Sequence, residues 1–404
     1  MSRRFPGELP PTAGLPLRWR DFLPGSGSLE EALADLFGTP PMQLECSGTS
    51  ALRIALQTLQ QQQPTRRVVI VPAYTCPLVA IAVHSLGLEL RLCDLAPGHH
   101  DFDHRSLAAL CDAHTLAVIP THLGGRVVDV ERACAVARRH GAFVIEDAAQ
   151  ALGAFDRGQS VGLRGDVGIF SLAAGKGLSL FEGGLLLARD PELRQALART
   201  SRRQIRSDWR RELQRSLELL GLAVCYRPGL LGLAYGRPLR RMLAAGDPER
   251  AVGDVFPLQI PQHRVGRWRR HVGYRAAARL PTFLSESRER ALHWKTRLRQ
   301  LPDLQVHDDP PGAQGVWPVL MLELPDARRR DAALQRLWTC GLGVSRMFIH
   351  ALPDYGYLRG IVPDVDMPNA RDFAARMLTV GNSPWLDAAR VDAIAEALQT
   401  VLSR

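Results

Sequence analysis

Six short runs in the first half of the chain, RVVIVPA, LELRLCDL, TLAVIPT, AFVIED, VGIFSL and GGLLLARD, are rich in β-formers and end in turn or polar residues. Between several of them apolar positions recur at helical spacing, as in SALRIALQTLQ, PLVAIAVHSLG and DVERACAVARRHG. Strand and helix alternating in this way predict a mostly parallel sheet covered on both faces. Ligands of such sheets bind at the carboxyl ends of the strands, so chemistry is to be sought just after each strand. The second half predicts a helix around residues 283–300, a strand in VWPVLMLEL, a helix in DARRRDAALQRLWTCG and a last helix in LDAARVDAIAEALQTVL. We therefore expect an N-terminal arm (1–25), a large domain (26–195), a variable segment (196–275) and a smaller C-terminal α/β domain (276–404).

The variable segment contains the most apolar stretch, LELLGLAVCYRPGLLGLAY, which Arg227 and Pro228 divide. Neither piece approaches the roughly twenty apolar residues that span a bilayer. A helical hairpin packed on the body or on a partner is predicted, with a peripheral membrane contact through 200–241 as the alternative. Charge adds to the picture. Of the chain's net +10, more than all comes from here, because residues 194–275 carry 18 arginines against six acids. Such a block suits an anionic membrane or a phosphorylated substrate, or is a solvated helical face. Nucleic acid is not expected, since no recognised motif with interleaved aromatics accompanies the charge.

At 404 residues, 46% apolar and 23% charged, the chain has the composition of a globular protein with room for several domains. Its seven cysteines form no C-x-x-C pair, so neither a zinc site nor a disulfide framework is predicted, and no metal is expected. The opening MSRRFPGELPPTAG has charges with no apolar run behind them, so no signal peptide is expected and a reducing cytoplasm fits.

Only two of the 51 basic side chains are lysines, Lys176 and Lys295. Lys176 lies in GIFSLAAGKGLSLFEGG, between apolar runs and among five glycines. An arginine there would stay protonated, whereas a desolvated lysine can form a Schiff base with an aldehyde. Two further sites suit the same chemistry. CSGTSALRIAL puts Ser47, Gly48, Thr49 and Ser50 at a helix start, which is either a plain N-cap or a phosphate cradle. AFVIEDAAQ puts Asp147 at the carboxyl end of a buried strand, where it is either a hydrogen-bonded acid or the partner of a protonated pyridine nitrogen. Cradle, acid and lysine follow in the order that a pyridoxal-phosphate enzyme needs.

The runs SGTSALRIAL, VPAYTCPLVAIAVHSLG, EDAAQALGA and GIFSLAAGKGLSLFEGG resemble the DegT/DnrJ/EryC1/StrS aminotransferase family, as do GVSRMFIHALPDY and AARMLTVGNSPWL. The resemblance implies an α/β protein of fold-type I, aspartate-aminotransferase-like, with pyridoxal 5′-phosphate as cofactor. It implies transfer of an amino group from an amino acid donor such as glutamate to a keto-sugar, nucleotide- or lipid-linked, in a cytoplasmic homodimer. A non-sugar ketone or aldehyde acceptor, or a non-catalytic regulatory role, are the alternatives. Carried over, Lys176 holds the cofactor and moves the proton, and Asp147 keeps the ring nitrogen protonated. Gln150 approaches the phenolic oxygen, and Gly48, Thr49, Ser50 and Ser171 hold the phosphate. Arg346 and His350 are the candidate substrate contacts. Where the family places an aromatic over the ring this chain has Cys76, with Tyr74 as the substitute stacking residue. Gly177 replaces the Asn after the lysine, and the Asn-x-Arg segment that reaches the neighbouring subunit has no counterpart in VGDVFPLQIPQHRVGRW.

Overall fold

The computed structural model describes residues 6–403, so positions 1–5 of the expected arm lie outside it. The first half forms strands β1 (Gln43–Glu45), β2 (Val68–Pro72), β3 (Glu89–Cys93), β4 (Thr115–Val118), β5 (Phe143–Asp147), a short hairpin of β6 (Phe155–Asp156) and β7 (Gln159–Ser160), then β8 (Val167–Ser171) and β9 (Gly184–Leu187). Seven of them make one sheet in the order β1-β9-β8-β5-β4-β2-β3. From β8 to β3 every pairing is parallel, and β9 is antiparallel to both of its neighbours. All residues of β2, β4, β8 and β9 are buried, as a sheet covered on both faces requires. The six runs read as strands are all present. β1 escaped the reading because three residues are too few to show a period.

In the second half, β10 (Gln305–Val306), β12 (Val319–Glu323), β13 (Val344–Ser345) and β14 (Met377–Gly381) form an antiparallel sheet in the order β10-β12-β14-β13. The remaining strand, β11 (Ala313–Gln314), pairs with β6. The helix Leu280–Leu298 ties the two halves together: Leu280 and Phe283 pack in the core beneath β8 and β9, and Ala291, Trp294 and Leu298 pack in the core of the smaller sheet. The arm crosses the same join, with Leu9 in the second core and Ala13, Leu15 and Leu17 in the first.

The apolar stretch of the variable segment lies in two helical pieces, Trp209–Cys225 and Pro228–Ala244, bent by 110° at the break between them. Among the described residues no single helix is long and apolar enough to cross a membrane. The expected hairpin-like bend is present, and part of its apolar surface packs on the body: Leu219 is buried in the first core, with Leu222 and Ala223 against it. Glu212, Arg215 and Leu219 take the inward side of the first helix: Arg269 donates to Glu212 at 2.6 and 2.9 Å, and Arg215 pairs with Glu182. Trp209, Leu213, Leu217, Leu220 and Val224, spaced four, four, three and four residues apart, are left exposed on the other side.

Candidate active site

The carboxyl ends of β5 and β8 and the loop after β2 converge on one place, as an open parallel sheet dictates. Asp147 closes β5 and is 4% exposed. Its backbone is fixed on both sides, the N–H donating to the Pro120 carbonyl and the carbonyl accepting from the His122 N–H, each at 2.9 Å. Its carboxylate accepts one hydrogen bond, from the Ala149 N–H at 3.0 Å. Burial raises its pKa above the usual carboxylate value, and the Ala149 bond and the charge of Lys176 oppose this. A buried acid so placed is stabilised by a cation, which a protonated ring nitrogen supplies.

Lys176 sits on the excursion from β8 to β9. Bonds from the Leu172 N–H to Gly183, the Leu180 N–H to Leu172 and the Ala174 N–H to Phe181, at 2.8 to 3.0 Å, draw this loop into a narrow neck. The arm lies across its tip. Thr12 Oγ1 donates to the Gly175 carbonyl at 2.9 Å, and the Leu15 N–H donates to the Gly177 carbonyl at 2.9 Å. Gly175 is required here: its φ is +79° and a Cβ would lie 2.6 Å from Thr12 Oγ1. Both neighbours of the lysine are therefore clamped by one strap. Burial lowers the Lys176 pKa, countered by Cys76 and Asp147. Among the described residues Lys176 forms no ion pair, whereas Lys295 is held by Asp308 at 2.7 Å and lies 5.2 Å from the Trp317 ring centre. The two lysines are thus sorted, one structural and one free to react.

Cys76, at the start of the helix Pro77–His84, shares this environment. Burial pushes its thiol up to about 12, and the charges of Lys176 and Asp147 both act on it. It therefore lies within reach of the charges of both Asp147 and Lys176. Tyr74, the expected substitute, does not take that place. Its hydroxyl donates to the Phe348 carbonyl at 3.0 Å and accepts from the Phe348 N–H at 3.1 Å, and its ring packs edge-on against Phe348 and Phe373. β2 ends at Pro72 and the chain bends through residues 73–75, so Tyr74 and Cys76, two apart, do not share a face as they would along an extended strand, and Tyr74 turns toward the small-domain segment.

At the phosphate cradle, Ser47 caps the helix Gly48–Gln62 by accepting the Ser50 N–H at 3.0 Å. Gly48 backs onto Ser171, where a Cβ would lie 3.2 Å from the Ser171 Cβ, so the two segments meet closely enough to share one small anion. The Gly48 and Thr49 N–H groups are the ones that the first helical turn leaves without intrahelical acceptors. Ser50 is fully buried beside Cys46 and its N–H is taken by Ser47, so it supports the cradle from behind instead of lining it. Ser171 Oγ accepts from the Ala173 N–H at 3.3 Å.

Gln150 Oε1 accepts from the Gly124 N–H at 2.6 Å, and its Nε2 points to the Met347 sulfur at 3.2 Å. The two substrate candidates fare differently. Arg346 is turned inward, donating to the carbonyls of Ile349 and Ala374 at 2.6 and 2.7 Å, and burial lowers its pKa to about 10. One of its terminal nitrogens is thus committed to holding its own segment together, while its Nε has no hydrogen-bond partner among the described residues. His350 stays partly accessible, 3.2 Å from Glu249 Oε1.

Sequence reasoning missed the group that anchors this segment. Asp254, 3% exposed, accepts from the Ile349 N–H and the Tyr355 hydroxyl, both at 2.7 Å, while its carbonyl accepts from Tyr357 at 2.6 Å. Burial raises its pKa to about 6. Its charge acts on Cys76, so the variable segment reaches the catalytic end of the sheet. An available signal was its rarity, one of six acids in a block of 18 arginines.

The sequence matches the DegT/DnrJ/EryC1/StrS aminotransferase family over residues 19–224 and 270–399. It is 36% identical to the protein MosB of Rhizobium meliloti over 180 residues, 43% of this chain and 35% of that one. It is 37% identical to the GDP-perosamine synthase of Caulobacter vibrioides over 164 residues, 41% of this chain and 44% of that one. Both matches span less than half of the relative's own length. Among solved structures, DesI in the presence of its TDP-sugar product superposes with a TM-score of 0.74 at 20% identity, over 100% of this chain and 95% of that one. The fold expectation is thereby met.

Proposed function

The chain belongs to the DegT/DnrJ/EryC1/StrS aminotransferase family, and from that premise we propose that it is a pyridoxal-phosphate-dependent aminotransferase. It takes the amino group from an amino acid donor such as glutamate and delivers it to a keto-sugar. The observation that carries this reading is the proximity of a buried acid without an ion pair among the described residues, Asp147, to a desolvated lysine that likewise has none, Lys176. When bound, the cofactor supplies an electron sink for charge developing at the donor's α-carbon.

Each residue then has a task that its surroundings fit. Asp147 keeps a proton on the ring nitrogen, because a buried carboxylate is most stable facing a cation. Lys176 would take the proton from the donor's α-carbon, and its lowered pKa enlarges the neutral fraction able to do so. Gly48, Thr49 and Ser171 hold the phosphate with backbone N–H groups and hydroxyls. Gln150 would approach the phenolic oxygen, and Cys76 would take the position over the ring. The strap of Thr12, Gly14 and Leu15 fixes the lysine loop from outside. The protein works as a cytoplasmic homodimer in this reading.

Relatives named for nucleotide sugars support a sugar acceptor. Cys76 in place of an aromatic and the inward Arg346 favour the second reading, a non-sugar ketone or aldehyde acceptor. Incubation of the holoenzyme with L-glutamate and a panel of nucleotide-linked keto-sugars decides between them. We expect an aminated sugar by mass spectrometry. Amination confined to simple ketones or aldehydes establishes the second reading, and no amination of any carbonyl establishes the non-catalytic alternative.

A further inference from the structure

The helix Trp209–Cys225 is apolar on two sides: Leu219, Leu222 and Ala223 pack inward on the core of the large domain, and a second apolar row faces outward. Its polar side chains Glu212 and Arg215 face the protein, where they are consumed in ion pairs with Arg269 and Glu182. Its outward side is an unbroken apolar stripe: Trp209 is 69% exposed, Leu213 53%, Leu217 60%, Leu220 41% and Val224 58%. Leu230 and Leu233, 41% and 52% exposed, lie on the second helix beyond the bend. Soluble surfaces seldom leave so many large apolar side chains in one row without something to cover them.

The charge around the stripe decides what covers it. Arg210, Arg237 and Arg241 are exposed on the same two helices and Arg227 at the break between them, and residues 194–275 carry 18 arginines against six acids. A second copy meeting this face about a two-fold axis would bring two such blocks together, and like charge opposes that contact. No polar side chain stands within the stripe to fix the register of a protein partner. The helix pair is bent by 110° and neither helix is long and apolar enough to cross a bilayer alone, so an apolar row on it is suited to lying along a membrane surface. The first of the two helices lies, but for Cys225, within the family match, which stops at residue 224 and resumes at 270, and the second lies outside it.

We propose that the helices Trp209–Cys225 and Pro228–Ala244 form a monotopic docking surface for an anionic lipid leaflet, with the leucine and tryptophan stripe in the acyl boundary and the four arginines at the headgroups. The inward side of the first helix reaches the catalytic loop: Leu222, Ala223 and Tyr226 surround Gly175 and Lys176 together with Gly14 and Leu15. The lysine loop therefore lies one helix diameter, about 10 Å, from the docked face. This docking stands on exposure and charge alone and is independent of the reaction at Lys176.

Cosedimentation of the full-length holoenzyme with phosphatidylcholine vesicles, with and without phosphatidylglycerol, tests it. Binding is expected only to the anionic vesicles and should fall as salt rises. Replacing Arg210, Arg227, Arg237 and Arg241 together with Gln should weaken it by about a hundredfold or more, since each charge near such a surface contributes roughly fivefold. The triple variant Leu213→Gln, Leu217→Gln, Leu220→Gln should abolish it while keeping the wild-type circular dichroism, bound cofactor and oligomeric mass. Absence of binding by the wild type overturns the proposal. So does a triple variant that turns a wild-type oligomer into monomers in light scattering, which makes the stripe an interface between copies.

Discussion

The phenol of Tyr226 donates a 2.6 Å hydrogen bond to the Thr12 carbonyl and accepts one of 2.9 Å from the Gly14 N–H. One hydroxyl thus joins the variable segment to the strap that clamps Gly175 and Gly177 around Lys176. Tyr226→Phe removes both bonds and leaves two backbone groups without partners. We expect a loss of about 1 to 3 kcal/mol in denaturant unfolding, with faster loss of cofactor on dialysis. Wild-type stability and retention would mean that the strap is held without Tyr226.

The two lysines give opposite expectations. Lys295→Ala breaks the pair with Asp308 and should leave the protein yellow while costing about 1 kcal/mol, the scale of a partly exposed ion pair. Lys176→Ala should leave folding intact and remove the colour. Absorbance and thermal melting on both variants check this, and a colourless Lys295→Ala would reverse the assignment.

Much of this was legible in the sequence, and for identifiable reasons. Asp147, Lys176 and the Gly48 cradle sit on buried strands or their turns, where local pattern and tertiary position coincide. Tyr74 was misplaced because the direction a side chain takes as a strand ends depends on what it packs against, here Phe348 and Phe373 from far along the chain. Arg346 was read only in part for a similar reason, since its acceptors are backbone carbonyls that carry no sequence signature. The outward stripe of the helix Trp209–Cys225 follows the helical period as well as a buried face does, and only tertiary partners such as Arg269 and Glu182 show which side turns in.

Burial that pushes the Cys76 thiol up to about 12 keeps it protonated at neutral pH. Iodoacetamide should therefore label Cys76 far more slowly than an unhindered thiol, and a peptide map over time reads this out. Rapid alkylation of Cys76 in the folded protein would show that it is ionised.

Asp254 gives the pH expectation. Its pKa is about 6 in the folded protein and about 3.9 in an unfolded chain. Between those values the folded state binds the extra proton, so this group's contribution to stability is fully present below pH 4 and is lost as pH rises through about 6. The loss amounts to about 3 kcal/mol at most. Melting curves of wild type and Asp254→Asn across that window should converge or cross as pH rises, with the wild type relatively more stable at the acid end. A constant difference between them would contradict the raised value.

The central claim is that Lys176 and Asp147 together make an aminotransferase site. Its most direct test is the half-reaction with L-glutamate alone, followed by absorbance, with borohydride reduction of a parallel sample before the donor is added. We expect the wild type to be yellow, to lose that colour on adding glutamate with release of one 2-oxoglutarate per site, and to carry the reduced cofactor on Lys176 in the peptide map. Asp147→Ala should keep some cofactor and convert it at least about a hundredfold more slowly, the scale on which catalytic proton transfer depends. A label on Lys295, no label at all, or wild-type conversion by Asp147→Ala would contradict the account.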